Sequence, residues 1–199
     1  MSDELRNFLK ANQDLLKKND FATLIRKAGS LRPELIDFLY NKANIDVLKF
    51  LNEIPSSLFE GTNIASIIVP QHINKIGRQG IFNCGVVRLA IENPNIQLPS
   101  DAIVANSELQ IVNLPDGLKS LPSGFCSSCE NLKKVRIPAS VIRIGARAFT
   151  NCNDDFILIT PYRENQKDRL VIPQSEVDFY KKHLRFTHAP KNVEVKNEI

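Results

Sequence analysis

At 199 residues, with 43% hydrophobic and 24% charged side chains, the chain has the make-up of a soluble globular protein, one domain or one domain with a small appendage. Its apolar runs are only a few residues long, which excludes a membrane-spanning helix, and the opening MSDELRNFLK has no apolar leader core, so a cytoplasmic location is expected. Four cysteines fit a reducing compartment better than a disulfide scaffold, and a formal charge of +4 is too mild to name a nucleic-acid or membrane partner.

Residues 1–60 do not repeat and read as helices. Ser2 is placed to cap a first helix carrying Leu5, Phe8, Leu9, Leu15 and Leu16. Asp20 caps a second with Phe21, Leu24 and Ile25, stopped near Gly29. Pro33 suits the first turn of a third, with Leu35, Phe38 and Leu39 on one side. Asp46 opens a fourth through Val47, Leu48, Phe50 and Leu51. Apolar spacings of three and four mark amphipathic helices packed on something, and the simplest reading is a helical cap. Ile54-Pro55, with Leu58 and Phe59, looks like half a coil joining that cap to the next stretch of chain.

From residue 64 the chain repeats every 22 or 23 residues, starting at Ile64, Val86, Leu109 and Leu132. Three residues on stand Ile67, Leu89, Val112 and Val135, and two further stand Val69, Ile91, Leu114 and Ile137. Proline follows directly in three copies (Pro70, Pro115, Pro138). Then come Ile76, Leu98, Leu121 and Ile144, each followed by Gly77, Pro99, Pro122 or Gly145. Ile81, Ile103, Cys126 and Phe149 form the next column, and Cys84, Asn106, Cys129 and Cys152 the last. Apolar residues two apart share one face of an extended segment, and the proline removes a ladder donor and ends the strand. One copy cannot bury its apolar face alone, so the copies must stack: a four-coil solenoid over 61–154 with one parallel strand per coil.

Residues 155–199 read as a closing segment. FILIT (156–160) is a buried-looking strand, Pro161 to Arg169 a polar loop, and Leu170-Val171-Ile172 a strand ended by Pro173. Ser175 with Asp178 resembles a capping box opening a helix through Val177, Phe179, Tyr180 and Leu184. The chain from Thr187 is polar and expected to be loosely ordered.

The pattern Leu-x-x-Val-x-Ile-Pro-x-x-Val-x-x-Ile-Gly-x-x-Ala-Phe-x-x-Cys, complete at 132–152, resembles the BspA-type, or Treponema-type, class of leucine-rich repeats. The copy at 64–84 is close, those at 86 and 109 are more degenerate, and RLVIPQSEVDFYKKH is similar to the closing segment of that class. The resemblance covers roughly residues 54–184. It implies an α+β leucine-rich-repeat solenoid with a helical N-terminal cap and a short strand-helix C-terminal cap, and a binding role without naming a partner.

Chemistry is sparse. Cys126-x-x-Cys129 is the one redox- or metal-like motif, yet both residues fall in repeat columns, and no second CxxC or His pair completes a tetrahedral site. They read as packing groups. His72, His183 and His188 lie in a turn, a helix end and a tail, and read as surface residues. Gly77-Arg78-Gln79-Gly80 lacks the ending of a phosphate loop. No catalytic residue, cofactor or metal is expected.

Charge is more telling. Residues 1–60 hold nine Lys/Arg against nine Asp/Glu, so the whole excess lies in the repeats and tail. The outward strand positions are Ala65, Ser66 and Ile68; Val87, Arg88 and Ala90; Gln110, Ile111 and Asn113; Lys133, Lys134 and Arg136. That face is expected to be mixed and apolar at one end and basic at the other, with Arg88, Ile111, Asn113, Lys133, Lys134 and Arg136 meeting a protein partner of acidic surface, or a second copy of the chain. The rival reading is nucleic-acid binding by the basic end and by Lys181, Lys182 and Arg185, with few aromatics nearby to stack on bases.

Overall fold

The computed structural model describes residues 1–161 and 170–187. Helix α1 (Asp3–Ala11) starts on Ser2, whose Oγ accepts the Leu5 N–H at 3.0 Å. The stretch expected as one helix breaks at Asn12, and α2 (Gln13–Lys17) carries Leu15 and Leu16. Asn12 leaves helical geometry (φ −118°, ψ 27°) while its Nδ2 donates to the Phe8 carbonyl at 2.8 Å, a side chain competing with the backbone. Helix α3 (Phe21–Ala28) is capped by Asp20, which accepts the Thr23 N–H at 3.1 Å, and it ends on Gly29 at φ +54°. Helix α4 (Arg32–Asn41) has Pro33 in its first turn. The fourth expected helix is a short 3-10 turn, Val47–Phe50, with Asp46 Oδ1 accepting the Leu48 N–H at 3.0 Å.

The strands then follow coil by coil: β1 (Ser66–Val69) and β2 (Ile81–Phe82); β3 (Arg88–Ile91) and β4 (Ile103–Val104); β5 (Ile111–Asn113), β6 (Ser120–Leu121) and β7 (Cys126–Ser127); β8 (Lys134–Arg136) and β9 (Arg143–Ile144). Beyond the repeats come β10 (Ile157–Pro161), helix α5 (Val177–His183) and β11 (Leu184–Thr187). The main sheet has six strands in the order β1-β3-β5-β8-β10-β11, and every pairing in it is parallel. Short pieces on the far side of the coils form two smaller parallel sheets, β2-β4-β7 and β6-β9. Ile67, Leu89, Val112, Val135 and Leu158 stand in one buried row. A strand whose inner row is buried and whose outer rows face water cannot slip by one residue without exposing that row.

The array is longer than four coils. Ile54 bridges Ile76 in parallel, and the Ser57 N–H donates to the Gln79 carbonyl at 3.1 Å, so 54–59 is a partial coil stacked under the first. At the other end β10 pairs with β8, and Val171 bridges Arg143. The backbone keeps the same count. Ser57, Gln79, Asp101, Gly124 and Arg147 all have φ between 54° and 61°, and Gly61, Asn83, Ala105, Ser128 and Asn151 form a second left-handed column. Each coil therefore turns twice through conformations that L-residues other than Gly and Asn/Asp avoid. The Gly77 and Gly145 positions have a different cause: a Cβ on Gly77 would lie 2.6 Å from the Ser56 nitrogen, and one on Gly145 would meet the Ser123 nitrogen and the Pro122 carbonyl carbon. Coil packs on coil there without room for a side chain.

The helices close the first end. Asp37 Oδ1 accepts the Asn63 N–H at 2.7 Å, tying α4 to the start of the first coil. Burial pushes the Asp37 carboxyl up, partly offset by that hydrogen bond. One apolar cluster runs unbroken from Leu5 in α1 through every coil to Tyr180 in α5.

The far end departs from the sequence reading in three places. The Ser175–Asp178 capping box does not form: Pro173 leads into a 3-10 turn, Gln174–Glu176, so the residue preceding α5 is Glu176, one past Ser175. Glu176 Oε1 instead accepts the Arg147 N–H at 2.7 Å. The helix stops at His183, and Leu184–Thr187 becomes β11, covering the edge that β10 would leave bare. Leu170–Ile172 gives only the Arg143–Val171 bridge. The polar loop lies largely, and the tail from His188 wholly, outside the described residues. Among the described residues no helix is long and apolar enough to cross a membrane.

Candidate protein-binding face

Parallel pairing without a register shift fixes which outward side chains stand side by side. Ser66, Arg88, Ile111, Lys134 and Ile157 form one row across the sheet. Ile68, Ala90, Asn113, Arg136, Ile159 and Arg185 form the next. Arg88, Asn113, Lys134, Arg136 and Arg185 are exposed, and Ile111, Ile157 and Ile159 are half-buried between them. Ile68 is 53% exposed, one of the few large apolar side chains so open to solvent. Lys133 sits just before β8, exposed, its N–H donating to the Gln110 carbonyl at 2.9 Å.

The six residues singled out from the sequence thus lie on three neighbouring strands and their approaches. Among the described residues no carboxylate lies within ion-pair distance of Arg88, Lys133, Lys134 or Arg136. The face does not end at the basic strand β8. Ile157 and Ile159 bring apolar side chains beyond the basic strand, and Arg185 adds a cation beyond those. These three belong to the face and were missed because they lie past the last full repeat. The FILIT alternation, had it been aligned with the coil strands, places Ile157 and Ile159 outward. The cluster Lys181, Lys182 and Arg185 is split: the lysines sit on the last turn of α5, where Lys181 pairs with Asp178 at 3.7 Å, and Arg185 belongs to the sheet. One Arg185 Nη donates to the Lys182 and Leu184 carbonyls at 2.7 and 2.9 Å.

The thiols lie behind this face. Cys84, Cys126 and Cys129 are buried and Cys152 is half-buried, all as free cysteines. Cys126 and Cys129 Sγ are 3.6 Å apart, and Cys152 Sγ donates to the Cys126 carbonyl at 3.0 Å. Burial pushes the Cys84 thiol up to about 11. Hydrogen bonding to Cys126, with burial adding to it, pushes Cys129 up; hydrogen bonding to Cys129 and burial do the same to Cys152. A thiol held protonated is a poor nucleophile and a poor metal ligand. Among the described residues no cluster of three or more His, Cys, Asp or Glu is arranged to hold a metal.

Of the two described histidines, only His183 departs from the surface reading. His72 is exposed, but its Nε2 lies 3.0 and 3.1 Å from the Leu48 and Leu51 carbonyl oxygens and fastens the first coil to the cap. His183 is not a surface residue: it is 4% exposed, stacked on Phe156 with ring centroids 4.6 Å apart. Its Nδ1 lies 2.7 Å from the Phe179 carbonyl oxygen and its Nε2 3.1 Å from that of Asp154. The i to i+4 step from Phe179 aims it inward from the helix end, which the sequence signals only weakly.

A parallel strand in each coil, an apolar column behind it and a mixed outward face define a leucine-rich-repeat solenoid. The family model for the BspA type leucine rich repeat region matches residues 38–155 with 6 copies, and the chain belongs to that family. No curated protein and no solved structure matches it.

Proposed function

We propose that the chain is a non-catalytic binding module that presents the outward face of its six-stranded sheet to a protein partner with an acidic surface. The observation that carries this reading is two adjoining rows, one with exposed Arg88 and Lys134 and the other with exposed Arg136, interleaved with half-buried isoleucine and without described carboxylates to pair with. Arg88, Ile111, Asn113, Lys133, Lys134 and Arg136 make the contacts, with residues 1–60 as cap, 61–154 as the presenting array and 155–199 as its closure. Because the ladder holds these side chains in place, little backbone order remains to be imposed on binding. The outward rows carry no carboxylate, so a second copy of the face offers these cations nothing to pair with, and the partner is a different chain. Four free cysteines, three of them buried, suit a reducing, cytoplasmic setting.

The test is a photo-cross-linker at Ile111, capture of the partner from the native host, and affinity measured with the purified pair. Lys134→Glu with Arg136→Glu is expected to weaken binding by about tenfold or more, mostly through slower association and with a lower salt dependence. Lys49→Glu with Lys119→Glu, away from the outward rows, should leave it unchanged. Equal affinity for both double variants would refute the face as the site.

A further inference from the structure

The charges on the face alternate strand by strand. Across the sheet, β1 shows Ser66 and Ile68, β3 shows Arg88, β5 shows Ile111 and Asn113, β8 shows Lys134 and Arg136, β10 shows Ile157 and Ile159, and β11 shows Arg185. Every second strand is cationic, and each strand between carries isoleucine. Neighbouring strands lie about 4.8 Å apart, so the cationic strands recur every ~9.6 Å. A helix laid across the strands climbs about 5.4 Å per turn and ~10.5 Å in seven residues. From Arg88 to Arg185 the two spacings drift apart by only about 2 Å, which long, flexible Lys and Arg side chains absorb. An extended peptide in the same direction places same-face side chains roughly 6.7 Å apart and falls out of step with the strands at once.

Resting on the reading of this face as the binding surface, we propose that its occupant is an acidic amphipathic helix lying across the strands. An Asp or Glu at every seventh position meets Arg88, then Lys134 and Arg136, then Arg185. An apolar residue three or four positions after each meets Ile111, then Ile157 and Ile159. Apolar contact on the intervening turns excludes water beside the ion pairs, which strengthens them relative to fully exposed pairs. A nucleic-acid strand satisfies the cations but presses charged phosphates onto the isoleucines, a desolvation cost that the helix avoids.

The experiment uses the full chain and labelled synthetic peptides of about 20 residues, long enough to cross the cationic strands. One has Glu at every seventh position with Leu on the intervening turns. A second has the same composition scrambled, a third carries a central proline, and an oligonucleotide is the fourth probe. In fluorescence anisotropy the patterned peptide is expected to bind about tenfold or more tighter than the other three. Lys134→Glu with Arg136→Glu should abolish that preference, and Lys in place of Glu at the facing peptide position should restore it. Circular dichroism of the variant checks that it is folded. Equal binding by the scrambled or proline peptide, or no binding by the patterned one, overturns the helix. In that event the captured partner's response to the same double variant decides separately whether the face reading stands. Tighter binding by the oligonucleotide, lost in the double variant, overturns both.

Discussion

Asn106 stands where the other full coils carry Cys84, Cys129 and Cys152, and it is fully buried. Its Oδ1 accepts the Cys84 N–H at 3.1 Å, and its Nδ2 donates to the Ile81 carbonyl at 2.9 Å, so one side chain satisfies two buried backbone groups of the coil beneath. Asn106→Ala strands both, and chemical denaturation should show a loss of about 2–4 kcal/mol. Asn106→Leu is expected to be no better, since the cost comes from the orphaned partners rather than from lost volume. The thiols of the same column are predicted to be inert. Iodoacetamide at pH 7.5 should leave the native chain almost unlabelled over an hour by intact-mass measurement, while four adducts form in guanidinium. Rapid native labelling would show that the thiols are not shielded by the coil interior. At this scale the sequence was a partial guide. The Cys/Asn column showed that these positions face inward, because small, weakly polar groups suit a crowded coil interior. It could not show that the asparagine is the one member holding the layer below.

Turns do the corresponding work at the scale of the element. The two left-handed columns recur in every coil, yet their occupants are Ser, Gln, Asp, Gly and Arg in one and Gly, Asn, Ala, Ser and Asn in the other. Such variety leaves no residue-type signal, which is why the sequence revealed the strands and their prolines but not these turns. Ala105, at φ +55°, has neither the freedom of glycine nor the local hydrogen bonding of asparagine. Ala105→Gly is therefore expected to stabilise the chain by roughly 0.5–1 kcal/mol in equilibrium unfolding, where the same change in a helix costs a similar amount. Helix starts were readable wherever a side chain caps the backbone, as at Ser2, Asp20 and Asp46. Ser175 failed because Pro173 starts a 3-10 turn that shifts the helix start by one residue. A cap is a matter of position as well as residue type, and local sequence fixes the type alone.

Over the whole molecule, the cap, the coils and the closing helix share one apolar core, with Asp37 and His72 bonding the cap to the first coil. Urea unfolding followed by far-ultraviolet circular dichroism and by thiol exposure should give coincident single transitions. A helical signal lost ahead of the thiols' protection would mean that residues 1–60 fold apart from the array. Of the candidate face, Arg88, Ile111, Asn113, Lys133, Lys134 and Arg136 were readable because side chains alternate along a strand and the repeat aligns the strands. Arg185 was not, and Ile157 and Ile159 were legible only in the FILIT alternation, since all three reach the face through strands outside the repeat. The strand-by-strand alternation means that the fold and its surface count differently. Removing residues 109–131 would keep every interior column aligned, yet it would bring Arg88 directly beside Lys134 and put the pattern out of phase. Removing a pair of coils would restore it. Growth or shrinkage of such an array by duplication is neutral to its architecture at any number, but it preserves what the surface displays only in even steps.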